Sequence, residues 1–118
     1  MFKQVNYLGF EGQPELRTKA EQSTGVLAGE VHTWRDDVEV RWEPSNGREE
    51  GLDLTLSLAL ANGVTDSRTG TIASRDLDRP FRLANRCNQI WRDLLGKVIR
   101  QLDDRVQESL AGLEAVEA

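Results

Sequence analysis

The chain has one cysteine, one histidine, one methionine and three prolines in 118 residues. A lone thiol, Cys87, closes no internal disulfide, which excludes the bridge-stapled design of small secreted domains. It lies on an apolar stripe, so a core thiol is expected rather than a nucleophile. A lone histidine, His32, excludes a histidine-based metal cluster or relay. The neighbouring carboxylates Asp36-Asp37 and Glu49-Glu50 read as turn chemistry, because adjacency alone does not hold an acid and a base on two sides of a substrate. No Gly-Lys-Ser/Thr follows Gly9 and Gly12, so they build no phosphate loop. The longest apolar run, Leu52–Ala61, is interrupted by Asp53, Thr55 and Ser57 and falls far short of a bilayer span. A basic start followed by an apolar core is missing at the N-terminus, which makes the cytoplasm the expected compartment. The expectation is a binding protein, not an enzyme, with no metal, no cofactor, no membrane and no small-molecule substrate.

What is present suits one domain with one core, residues 1–118, structured over about 2–110 with an acidic tail at 111–118 that frays. Apolar residues make up 38% and charged residues 30%, a globular balance. Net charge is −5, but the positive charge is concentrated late. Residues 75–105 hold eight basic against five acidic groups, whereas 106–118 hold three acidic and no basic ones.

Hydrophobic periodicity places the elements. Residues 2–8 read as a short strand through Val5 and Tyr7, ended by Gly9, Gly12 and Pro14. From 14 to 34, Leu16, Ala20, Thr24, Leu27, Val31 and Trp34 recur at steps of three and four, the stripe of an amphipathic helix. Gly25 and Gly29 oppose that reading, and a rival makes Val31–Arg35 a strand turning at Asp36-Asp37. The helix is favoured over the stretch as a whole, and residues 22–34 stay open between the two. Val38, Val40 and Trp42 alternate with Glu39, Arg41 and Glu43, a one-sided strand. Pro44-Ser45-Asn46-Gly47 is a turn. The alternating leucines 52, 54, 56, 58 and 60 make the strongest strand, and after a loop at 62–67 a last strand spans Thr69–Arg75. Then comes a long helix, capped by Asp76 or Asp78, with Pro80 in its first turn. Ala84, Cys87, Trp91, Leu94, Leu95, Val98, Leu102, Val106 and Leu110 form its stripe. Trp34, Trp42 and Trp91 all fall on buried stripes, so core packing is expected of them. The fold class is α+β, β-α-β-β-β-α, a four-stranded mixed sheet with both helices packed on one face.

One charged arrangement stands out. Arg79, Arg82 and Arg86 are spaced by three and four on the last helix, and Lys97 with Arg100 continue nearly the same line, roughly 140° around from the apolar stripe. Arg75 and Arg92 add to the patch. Such a row can follow a phosphate backbone. It can equally be a solvated side stitched by Asp78–Arg82, Asp93–Lys97 and Arg100–Asp104. A homodimeric protein-interaction module using the open sheet or a strand edge is the alternative function.

The order of elements over about residues 2–106 resembles the ribosome hibernation promoting factors, also called the ribosome-associated inhibitor or sigma-54 modulation family. The resemblance is carried by the first helix ending in Trp34-Arg-Asp-Asp, the Val38-Glu-Val-Arg strand, Leu54-Thr-Leu-Ser-Leu leading to the Gly63 loop, and Ile99-Arg-Gln-Leu on the last helix. It implies a non-enzymatic stress factor of the short type that occupies the small ribosomal subunit and stops translation. It further implies that Arg79, Arg82, Arg86, Lys97, Arg100 and Arg105, with Arg17 and Lys19 on the first helix, meet ribosomal RNA phosphates. The first helix here departs from the family by carrying Glu15, Glu21 and Glu30.

Overall fold

The computed structural model describes residues 1–45 and 51–117, with side chains described as far as residue 111. In chain order it comprises β1 (Gln4–Tyr7), α1 (Pro14–Glu30), β2 (Val38–Pro44), β3 (Gly51–Ala59), β4 (Thr65–Ala73), the one-turn helix α2 (Ser74–Leu77) and α3 (Pro80–Glu117). The sheet order is β1-β2-β3-β4, with β1 parallel to β2 and the other neighbours antiparallel. The fold is therefore α+β with a mixed four-stranded sheet. The expected turn residues Asn46 and Gly47, and the pair Glu49-Glu50, lie outside the described residues.

Alternation decides which sheet face is covered. Val38, Val40 and Trp42 of β2, Leu52, Leu54, Leu56 and Leu58 of β3, and Ile72 of β4 are buried together. Ala20 and Leu27 of α1 and Leu83, Cys87, Ile90, Trp91, Leu94 and Val98 of α3 cover them. Both long helices thus lie on one face. On the other face, Thr71 donates to Asp53 at 2.7 Å, and the hydroxyls of Thr55 and Thr69 meet at 2.8 Å.

One hydroxyl ties three elements. Thr24 Oγ1 on α1 accepts from the indole Nε1 of buried Trp42 at 2.9 Å and lies 3.0 Å from the Tyr7 hydroxyl. It also reaches the Ala20 carbonyl at 3.0 Å, so β1, β2 and α1 share one polar node beneath the apolar layer.

The helix and strand readings of 14–34 are resolved in an unexpected way. The helix ends at Glu30, and 31–35 is not a strand. Val31 is extended, Trp34 takes the left-handed conformation (φ 56°), and a 3₁₀ turn follows at Arg35–Asp37. The Arg35 guanidinium folds back and donates to the carbonyls of Ala28 (2.7 Å) and Val31 (3.1 Å). This supplies the cation that the last turn of α1 lacks.

Boundaries in the second half differ from the sequence reading. β4 runs Thr65–Ala73 rather than Thr69–Arg75, with Ser74 and Arg75 in α2. Asp76 and Asp78 do not cap α3; Leu83 N–H donates to the Arg79 carbonyl, and the two carboxylates face Arg82 and Lys19. The helix continues through Gly112 to Glu117, past the point where fraying is expected. No helix among the described residues is long and apolar enough to cross a membrane.

Candidate anion-binding surface

The basic residues of α3 sit where this helix overhangs the outer edge of β4. β4 is an edge strand, and an open row of backbone acceptors there invites pairing with another chain. Side chains from α3 occupy it. Arg86 Nε donates to the Thr71 carbonyl at 2.9 Å, and Lys97 Nζ to the Ser67 carbonyl at 3.1 Å. Gln101 Nε2 lies 3.5 Å from the Thr65 carbonyl, and Arg105 donates to the Asn62 carbonyl. Part of the basic line therefore secures the sheet edge.

The stitching expected between neighbours on the helix does not form. Cations and acids pair between elements instead: Arg82 with Asp76 at 3.8 Å, Lys97 with Asp66 at 3.6 Å, and Arg68 with Asp93 at 3.5 Å. On α1, Lys19 pairs with Asp78 at 3.3 Å, and Arg17 pairs with Glu21 at 3.3 Å while lying over the Tyr7 ring. The anticipated continuous ridge is thus interrupted by carboxylates. Arg75 is exposed and has a partner. Arg79, Arg92 and Arg100 are exposed and make no ion pair or hydrogen bond with a side chain among the described residues.

Four cations nevertheless converge. Arg68, Arg92, Lys97 and Arg100, with Gly96, line an open hollow of about 330 Å³ between β4 and α3. Asp93 shares the hollow and Asp66 touches Lys97, leaving an excess of positive charge, with Arg92 and Arg100 uncommitted. Exposed guanidinium groups gathered around one hollow can donate to the oxygens of a phosphate diester or another polyanion. Sequence reasoning misses Arg68, because it sets a loop at 62–67 and starts the last strand only at Thr69. Once the strand is extended to Thr65, Arg68 stands opposite Leu56 and so faces the helices.

Other candidates do not assemble. Burial, with the Glu30 carboxylate nearby, pushes the Cys87 thiol up to about 12, which keeps it protonated at neutral pH. His32 is exposed, and among the described residues no three His, Cys, Asp or Glu side chains could hold a metal ion. A larger hollow of about 680 Å³ lies between the start of α1 and the start of β3, and its lysine, Lys19, is engaged by Asp78. Comparison with family models, curated proteins and solved structures finds no match to this chain.

Proposed function

We propose that the protein is a non-enzymatic, cytoplasmic RNA-contacting factor that sits on the small ribosomal subunit and restrains translation. The observation that carries this reading is the hollow of Arg68, Arg92, Lys97 and Arg100, two of whose guanidinium groups, those of Arg92 and Arg100, have no partner among the described residues. The resemblance of the element order to the hibernation factors supplies the ribosome as the expected source of phosphate. The contact is local rather than a ridge along both helices. Arg17, Lys19 and Arg82 are held by acids, and Arg86 and Arg105 by backbone carbonyls. About three to four neutralised phosphates then set the affinity, which makes binding modest and strongly salt-dependent.

Sedimentation of a stationary-phase lysate tests it. The protein should travel with ribosomal particles at low salt and be released at high salt, and Arg92→Glu with Arg100→Glu should leave it at the top of the gradient. Free migration of the unaltered protein at low salt would refute the reading. A second reading, a protein-interaction module of the same fold without RNA binding, is favoured by the carboxylates that interrupt the basic line. It predicts no ribosomal retention at any salt.

A further inference from the structure

The four cations of the hollow are not equally available. Arg92 and Arg100 are exposed and unpaired among the described residues. Lys97 is tethered to the Ser67 carbonyl at 3.1 Å and to Asp66 at 3.6 Å, neither of which lines the hollow. An ammonium carries three donors, so Lys97 keeps one for a ligand. Arg68 differs from the other three. Its one partner among the described residues is Asp93, at 3.5 Å, and Asp93 is itself a wall of the hollow. Lys97, four residues on, would be the ordinary helical partner of Asp93. Because Lys97 turns toward β4, the Asp93 carboxylate is left for Arg68. Gly96 stands between Asp93 and Arg100 on the same side of the helix, and with no side chain it leaves the space between them open.

We propose that Asp93 is a built-in competitor of the hollow, its carboxylate holding Arg68 in the place of a phosphate. To a guanidinium, a carboxylate and a phosphate diester present the same chemistry, anionic oxygens that accept N–H bonds. Asp93 thereby subtracts one contact. Arg92, Arg100 and Lys97 meet the ligand while Arg68 stays engaged, and Arg68 joins them when residue 93 is neutral. The carboxylate also leaves its negative charge among the four cations, where it repels the ligand at short range. Asp93 is thus the residue that keeps binding modest and reversible by salt. This rests on the phosphate-binding reading of the hollow, yet the two can fail separately.

Fluorescence anisotropy of a labelled single-stranded RNA of about ten nucleotides, within the usual footprint of such sites, compares the unaltered chain with Asp93→Asn. The substitution keeps the shape of an exposed side chain, so circular dichroism should be unchanged. Each added phosphate contact contributes about −0.9 log[salt] to log K, so Asp93→Asn should bind about eightfold tighter at about 0.1 M salt, with a salt slope steeper by about one. Adding Arg68→Gln to Asp93→Asn should abolish that gain, which a general change of net charge would not do. Glu39→Gln, an equal change of charge on the open sheet face, should bind as the unaltered chain does. If the unaltered chain shows no binding while Asp93→Asn binds, the competitor is upheld and the proposed function falls. Binding of Asp93→Asn no tighter than that of the unaltered chain would overturn the inference, as would a gain that survives Arg68→Gln or is matched by Glu39→Gln.

Discussion

Thr24→Val removes the oxygen at the centre of the polar node while keeping shape and β-branching. Trp42 is fully buried, and its indole N–H has Thr24 Oγ1 as its acceptor. Without that oxygen the donor stays desolvated and unpaired, at a cost of about 1–3 kcal/mol. The added methyl group returns at most about 0.8 kcal/mol by burial, so a net loss of about 1–2 kcal/mol follows. For a chain of this length the unfolding entropy is about 0.25 kcal/mol/K, and a loss in the middle of that range lowers Tm by about 6 °C. Thr24→Ser keeps the hydroxyl and loses only a methyl group, so it should cost less. Urea unfolding followed by tryptophan fluorescence compares the three proteins. If Thr24→Val proves as stable as the unaltered protein, or more stable than Thr24→Ser, the node contributes nothing and the argument fails.

Two further outcomes are expected. The Cys87 thiol ionises near its ordinary 9.0 when unfolded but only at about 12 when folded. Above pH 9 the unfolded chain therefore binds fewer protons, and stability falls with rising pH at up to about 1.4 kcal/mol per pH unit, up to about pH 12. Unfolding free energies at pH 8 and pH 10.5 should diverge less for Cys87→Ala, and an identical pH dependence would contradict the burial account. Gly70 lets α3 lie directly on β4: a Cβ there would stand 2.6 Å from Ile90 Cγ1 and 2.7 Å from its Cδ1. Gly70→Ala should destabilise by about 1–2 kcal/mol through overpacking, whereas Gly96→Ala, with open space around it, should stabilise by about 0.5–1 kcal/mol. Equal effects in chemical denaturation would refute the close approach.

Most of the architecture was legible because alternation in β2 and β3 is strict. The five leucines from 52 to 60 leave one face for the core, and a crossover from β1 then puts α1 on that face. The end of α1 was harder, since Val31 and Trp34 continue the apolar stripe in spacing after the helix has stopped. Both still pack on the core, reached through an extended residue and a left-handed one. β4 was shortened for a physical reason: its inward positions Asp66, Arg68 and Gly70 lie beneath the polar flank of α3 and show no apolar alternation. That same feature hid Arg68. The helical periodicity of the arginines was visible in the sequence. Which of them answer to carboxylates and strand carbonyls was not, because those partners come from β4, α2 and the Asn62 loop.

Titration of purified protein onto a small-subunit ribosomal RNA fragment over a range of salt concentrations bears most directly on the anion-binding hollow. The account predicts that log K falls with log salt with a slope of about −3. It also predicts that Arg92→Gln with Arg100→Gln flattens the slope by about two, while Arg41→Gln on the opposite sheet face leaves it unchanged. Absence of binding at low salt, or equal losses from both sets of substitutions, would contradict it.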